Sequence, residues 1–457
     1  MHPAHSLDDF WKRTLRLAIP VSVQNILISS FALVDTMMLG SLGDEPLAAV
    51  GMAGQWAWLF YLILFGFNSG AGVFIAQYWG VRDIRSIRKS LGLAALSALS
   101  VSLVFTLTAF FAPGFVLSFF TQDPAVAELG AVYLRWACWS YSAVCLNNLM
   151  CTLLRSTEEV RLPLYASMVS VSMNVALNAL FIYGLKMGVR GAALATSISA
   201  WVSPLSLFTL SMIRKNILRA PIREYVGWTG AFVRNYFAVS LPTLVNETTW
   251  GLGTVVYKAI YANASTAFYA AFTISMSVSD IVFSFFVGVC HACAVIIGKH
   301  VGTGKTDEAY RDACRYTRMF PVFSAAVSVL FLLLRPLVLT PFTGSDAATL
   351  ATASTLILFY LAEQPLRNIP YITIVGVFRA GGDTKIGMIY DFIGLWLLAI
   401  PTAWLGAMVF HADLPVVYLA MLLAEDGIKS FLCVRRLLSR KWIRPVTEQG
   451  KEALSAS

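Results

Sequence analysis

The sequence predicts an all-α integral membrane protein, with twelve transmembrane helices in two six-helix lobes related by a pseudo-two-fold axis along the membrane normal. Three observations predict it. Hydrophobic residues make up 58% of the 457 and charged residues only 13%, whereas soluble domains carry about 25% charged residues. The apolar runs are long, and Leu91 to Phe120 holds no charged side chain, where roughly 20 apolar residues suffice to span a bilayer. The third observation is that the chain reads twice.

The doubling rests on short anchors. Pro20-Val-Ser-Val-Gln-Asn25 returns as Pro242-Thr-Leu-Val-Asn-Glu247, and Gly80 returns at the same spacing as Gly302. Leu154-Arg155-Ser156 returns as Phe378-Arg379-Ala380, with a small insertion before it. A doubled membrane protein usually places its working site where the halves meet.

Backbone groups in lipid must be bonded internally, which leaves helices or a closed barrel. Continuous rather than alternating apolar runs decide for helices. In order, the spans read 16–40, 48–78, 91–119, 127–153, 162–185 and 190–213, then 234–261, 266–297, 314–340, 348–377, 386–409 and 414–436. The amino-terminal lobe is therefore 1–213, a cytoplasmic linker 214–233 carries Arg214, Lys215, Arg219 and Arg223, the carboxyl-terminal lobe is 234–440, and a polar cytoplasmic tail covers 441–457. Six spans per half is even, so both halves enter from the same side and the repeats are parallel.

Charge sets the orientation. Of the 34 Lys and Arg, only Lys186, Arg190, Lys258 and Arg335 fall on one side, and Arg135 and Arg367 fall inside spans. The rest lie at the chain ends, in the loops after even-numbered spans and in the parts of the spans that adjoin them, which puts both termini in the cytoplasm. This bias accounts for the net charge of +9, so no nucleic acid partner is expected. Residues Met1 to Leu17 are polar and charged, and no cleavable signal peptide is read there. Six of the seven cysteines lie in apolar runs, which argues against a disulfide framework. Cys290-His-Ala-Cys293 lacks a second ligand pair and reads as packing rather than metal binding.

Charged groups in hydrocarbon need a reason, because each costs about 2.5–3.5 kcal/mol on insertion scales. Asp35, in span 1, has no Lys or Arg within a helical turn or two. Such a carboxylate protonates, binds a cation or finds a partner on another helix. Glu247 lies near the middle of span 7, at the repeat position of Asn25, while Asp35 corresponds to Tyr257. The halves thus carry their acids at different depths. Trp250, one turn from Glu247, is expected to face a cavity and stack on a cationic substrate. Asp280 in span 8 is a further candidate. Glu363 with Arg367, and Glu425 with Lys429, are four apart and read as structural pairs. Asp391 reads as positional, near the cytoplasmic end of span 11. Asn174 and Asn178 share one face of span 5, where paired amides bridge helices or ligate an ion beside Asp35.

One decoy is removed by spacing. Gly302-Thr-Gly-Lys305-Thr306 resembles the end of a phosphate loop, but the required glycine at 299 is Lys299, and no strand precedes it. ATP is therefore not expected as a partner.

At these residues the chain resembles the multidrug and toxic compound extrusion (MATE) family over roughly residues 10 to 440. The carriers are Val34-Asp35-Thr36, the Gly80 and Gly302 loops, Leu154-Arg155, Asn174-x-x-x-Asn178-Ala-Leu-Phe-Ile-Tyr-Gly184, and Val377-Phe-Arg379-Ala-Gly-Gly-Asp383-Thr384. The resemblance implies secondary active efflux of amphipathic organic cations and drugs, driven by Na⁺ or H⁺. It makes Asp35 the amino-lobe coupling acid and Asn174 its helper. Asn178 stands where one branch of the family has Asp, and Cys151 where that branch has another Asn. In the carboxyl lobe, another branch has a Glu in span 7, which Glu247 resembles, and an Asp in span 10, where this chain has Asn368.

The expectation is a monomeric antiporter of the inner membrane that works by alternating access and has no cofactor beyond its coupling ion. Asp35, Asn174 and Asn178 would couple the cation; Glu247, Trp250, Asp280 and Asn368 would meet substrate or a second ion. A flippase for a lipid-linked precursor should line its cleft with Arg or Lys to meet phosphate, whereas the candidates here are mainly acidic. A non-transporting scaffold or receptor would need no unpaired membrane acids.

Overall fold

A computed structural model describes residues 7–340 and 346–456. The chain is helical along its length, in the order α1 (Leu7–Gly40), α2 (Asp44–Gly80), α3 (Ile84–Phe111), α4 (Pro113–Leu117), α5 (Pro124–Ala137), α6 (Ser140–Ser156), α7 (Arg161–Asn178) and α8 (Gly188–Arg214). It continues with α9 (Gly230–Ala264), α10 (Thr266–Gly302), α11 (Thr306–Leu339), α12 (Ala347–Tyr371), α13 (Thr384–Phe392), α14 (Ile400–Trp404), α15 (Leu414–Leu438) and α16 (Glu448–Ala456). Wider π-helical turns extend α7 through Ala179–Gly184, α12 through Ile372–Phe378, and α13 through Ile393–Ala399. Such turns are frequent at functional sites.

Among the described residues these helices make up twelve membrane segments. Span 4 differs from the continuous helix expected: it breaks between α5 and α6 at Cys138 and Trp139. Among the described residues, eight helices are long and apolar enough to cross a membrane. The other four segments are the broken α5–α6 pair and α9, α12 and α15. Of these, α9 carries Glu247, α12 carries Glu363 and Arg367, and α15 carries Glu425, Asp426 and Lys429. In α12 and α15 the buried charges lower the hydropathy of the segment.

The helices form two compact units, one of Val23–Ser240 and one of Met1–Ser22 with Leu241–Ser457. The dividing points fall inside α1 and α9 rather than in the 214–233 connection. Each lies beside a proline, Pro20 in α1 and Pro242 in α9, where the helix loses a backbone hydrogen bond. The first anchor of the repeat therefore marks where each helix passes from one unit to the other.

Both crossings are close. In one unit, a Cβ on Gly70 of α2 would overlap Ser240 of α9; in the other, a Cβ on Gly288 of α10 would overlap Ala18 and Ser22 of α1. Small residues let membrane helices approach where no hydrophobic force drives them together. In the first unit α2 packs on α3, α5 and α6, and α7 pairs with α8. In the second, α10 packs on α11 and α12, and α12 packs on α15.

Two polar segments are more ordered than their composition suggests. In the 214–233 connection, Arg88 of α3 donates to the carbonyls of Ile217 at 3.0 Å and Arg219 at 3.2 Å and pairs with Glu224. The tail from Arg440 is docked. Trp442 is fully buried, Arg444 N donates to Gly381 O at 2.7 Å, and Thr447 Oγ1 donates to Gly302 O at 2.6 Å. Gly382, at φ 89°, leaves no room for a side chain against Arg444. Asp383, also fully buried, takes Arg436 at 2.5 Å and Arg444 at 3.3 Å. The tail thus ties together the α10–α11 and α12–α13 connections.

Candidate functional site

The amino-terminal candidates come together. Asp35 of α1 accepts a hydrogen bond from Asn178 Nδ2, at the end of α7. The same amide donates to Asn174 Oδ1 at 3.2 Å, and Asn174 Nδ2 donates to Ser199 Oγ of α8 at 3.1 Å. The four-residue spacing of the asparagines puts both on one face of α7, and the π turn begins directly after Asn178. Tyr133 of α5 lies near Asp35. No Lys or Arg among the described residues pairs with Asp35. Asn178 Oδ1 is buried with no hydrogen-bond partner. The arrangement is a carboxylate and an unsatisfied amide oxygen, both acceptors, at one place in a membrane helix pair. Acceptors of this kind suit a proton or a small hard cation.

The carboxyl-terminal candidates separate. Glu247 of α9 is taken by Arg379, Nη2 to Oε1 2.6 Å, so it is a paired acid. Its neighbour Asn246 donates to Asp391 Oδ2 of α13 at 2.9 Å. Asn368 donates to Ser324 Oγ at 2.8 Å and to Gln364 Oε1 at 2.9 Å, and acts as a bridge between α12 and α11. Trp250 is 39% exposed on α9. Asp280 lies on an exposed face of α10 and is opposed electrostatically by Lys258 of α9.

One expectation about pairing is corrected. Arg367 does not pair with Glu363; it turns to Asp426 of α15, Nη1 to Oδ2 3.5 Å. Asp391, read as positional, is reached by Asn246 and by Lys429, the latter at 3.7 Å. The Glu425–Lys429 pair is present at 2.8 Å, with Asp426 also 3.1 Å from Lys429. Cys290 and Cys293 are buried free thiols.

Sequence reasoning missed Arg379 as the partner of Glu247, although a signal existed. Arg379 repeats Arg155, and Arg155 Nη2 donates to Gln24 Oε1 at 2.6 Å. Both arginines reach the helical turn that follows a crossing proline. Asp426 and Tyr133 had no signal beyond being polar residues in apolar runs.

The fold and the site define a polytopic helical membrane protein with a membrane carboxylate bonded to a single amide. Comparison with known proteins gives the family. The MatE family profile matches residues 20–180 and 243–405. Thus the chain belongs to the MatE, or multidrug and toxic compound extrusion, family, and the two matched segments coincide with its two repeats. It is 22% identical over 450 residues to the "Probable multidrug resistance protein NorM" of Thermotoga maritima, covering 96% of this chain and 95% of that protein. It is 23% identical to the rabbit (Oryctolagus cuniculus) "Multidrug and toxin extrusion protein 1", covering 93% of this chain and 74% of that protein. The fold superposes on a crystal structure of MATE in complex with MaL6 with a TM-score of 0.86 at 19% identity, covering 94% and 97% of the two chains. It also superposes on a Pyrococcus furiosus transporter of the MOP superfamily with a TM-score of 0.84 at 20% identity, covering 94% and 96%. The protein is therefore a multi-pass membrane transporter of a multidrug efflux family, which handles small molecules across a lipid bilayer and is not an enzyme class.

Proposed function

We propose that the protein is a cation-coupled antiporter that exports amphipathic organic cations or drugs by alternating access. The observation that carries this reading is Asp35, an intramembrane carboxylate bonded to Asn178 and opposed by no Lys or Arg among the described residues. Protonation or Na⁺ binding at Asp35 changes its charge by one, which alters how strongly the carboxylate pulls on Asn178 and, through Asn174, on α8. An ion shifts a conformational equilibrium only by its differential affinity for the two states. A site whose single charge is uncompensated supplies that difference directly. The charge bias of the loops supports an inner-membrane protein with both termini in the cytoplasm, and it works as a monomer with H⁺ or Na⁺ as the coupling ion.

The rival flippase reading needs free basic groups for a phosphate. Here Arg367 and Arg379 already face Asp426 and Glu247. That pairing favours export of cations over anionic lipid precursors. The test is efflux of a fluorescent organic cation from proteoliposomes under an imposed Na⁺ gradient and then a pH gradient. Export driven by one gradient and lost in Asp35→Asn is the expected result. Undiminished gradient-driven export by Asp35→Asn would sink the mechanism.

A further inference from the structure

A second buried acid stands apart from Asp35 and from the positions that the family resemblance assigns. Glu363 of α12 is 3% exposed, and neither of its carboxyl oxygens meets a hydrogen-bond donor. The group within hydrogen-bonding reach is another carboxyl, that of Asp426 on α15. Asp426 is 1% exposed, and its Oδ2 likewise lacks a hydrogen bond. Neither Glu363 oxygen therefore has a donor, and the neighbouring Asp426 carboxyl cannot supply one while both groups are ionised.

The surrounding charges do not resolve this. On α12 and α15, Glu363 is faced by Asp426, Arg367 and Glu425. Lys429 is shared among Glu425, Asp426 and Asp391, and Arg367 is drawn to Asp426. Tyr360 of α12 lies beside Glu363 and Arg367, and Tyr257 of α9 lies beside Arg367 and Glu425. Asp280 of α10, opposed by Lys258, adds a further acid at longer range. The cluster proper holds the acids Glu363, Glu425, Asp426 and Asp391 against the bases Arg367 and Lys429, and both bases are engaged elsewhere than at Glu363.

Two buried carboxylates in contact cannot both ionise without strong repulsion, and one proton shared between them removes the conflict. A protonated carboxyl gains an O–H donor while keeping acceptor capacity. One proton thus gives the unmet Glu363 carboxyl a donor toward Asp426 and removes one uncompensated buried charge. We propose that Glu363 and Asp426 form a proton-binding dyad in the carboxyl-terminal unit, a second ionisable site separate from Asp35. The proton resides on Glu363, because Asp426 faces both Lys429 and Arg367 and keeps its charge. It comes from water and returns to water, with no other bond made or broken. The dyad does not use the span-7 and span-10 positions of the family pattern: Glu247 is held by Arg379, and residue 368 is an amide. Losing the proton would leave a bare carboxylate between α12 and α15, which the packing seen here does not solvate.

The test is infrared spectroscopy of the full-length protein in liposomes at neutral pH. A protonated-carboxyl stretch of about one group's intensity is expected, moving on exchange into heavy water. It should be lost in Glu363→Gln and retained in Asp35→Asn. Glu363→Gln should fold, because its amide donates to Asp426 as the acid does. In the unsubstituted protein, labelling the carboxyl carbon of glutamate should shift the band, and labelling aspartate should not, so the assignment does not depend on a variant. A band unchanged in Glu363→Gln, a band that shifts only with labelled aspartate, or no such band at neutral pH would overturn the dyad. Retention of the band in Asp35→Asn separates this outcome from failure of the coupling role of Asp35.

Discussion

The Arg379 guanidinium lies 2.6 Å from the Glu247 carboxylate, and its repeat partner Arg155 lies 2.6 Å from the amide oxygen of Gln24. One arginine meets a charge and the other a neutral group, yet both reach the same turn of equivalent helices. The repeat therefore preserves a brace behind each crossing proline. Only in the carboxyl-terminal unit has it become an ion pair.

That pair predicts a coupled energetic response. Removing one partner of a buried pair leaves the other uncompensated and costs about 3–5 kcal/mol. Arg379→Gln and Glu247→Gln should each destabilise the protein by an amount of this order in denaturant unfolding in detergent. The double variant should recover part of the loss. Additive losses would show that the two side chains do not depend on each other.

At the amino-terminal site, Asn178 is the donor to Asp35 and Asn174 stands one bond further away. Asn178→Leu should cost about 1–3 kcal/mol for the buried acceptor left unmet, and should change the ion dependence of export in proteoliposomes. Asn174→Leu should have a smaller effect on both. Equal effects would place the two amides at the same distance from the coupling step.

The helix crossings predict a sign difference among glycines. Gly70→Ala and Gly288→Ala force a Cβ into Ser240, or into Ala18 and Ser22, and should cost about 1–3 kcal/mol of overpacking. Gly54 of α2 has nothing within 4 Å of an added Cβ. Gly54→Ala should be neutral or stabilising by up to about 1 kcal/mol, from helix propensity alone. Thermal melting in detergent reads all three.

The docked tail predicts local release. Trp442 is fully buried, and Trp442→Ala should cost about 3–5 kcal/mol. Gly382→Ala, at φ 89° and against Arg444, should loosen the same contact. Limited proteolysis should then cut after Arg440 or Arg444 faster than in the parent. An unchanged cleavage rate would mean that the tail is held by other contacts.

Much of the fold was legible because bilayer thickness acts on composition directly. Continuous apolar runs had to be helices, and their number followed from counting. The break at Cys138 and Trp139 was not legible, because no proline or glycine stands there to mark it. Among the candidate residues, the four-residue spacing of Asn174 and Asn178 put both on one face of a helix, and the structure brings Asp35 of another helix to Asn178. The pairing of Glu363 with Arg367 followed the same rule and failed. Local spacing states which groups can meet on one helix, but Arg367 found a nearer acid on α15.

The amino-acid sequence by itself determined that this chain lives in a membrane, that it is doubled, and that a few acids lie where lipid should exclude them. These follow from transfer free energies and spacing, which need no coordinates. Tertiary structure alone decided which acids are neutralised and which are not. Glu247 is silenced by Arg379 and Asp426 by Lys429 and Arg367, while among the described residues neither Asp35 nor Glu363 forms an ion pair with a cation. The reason is physical: a charge buried in low dielectric is governed by the partner that touches it, and helices far apart in the chain supply that partner.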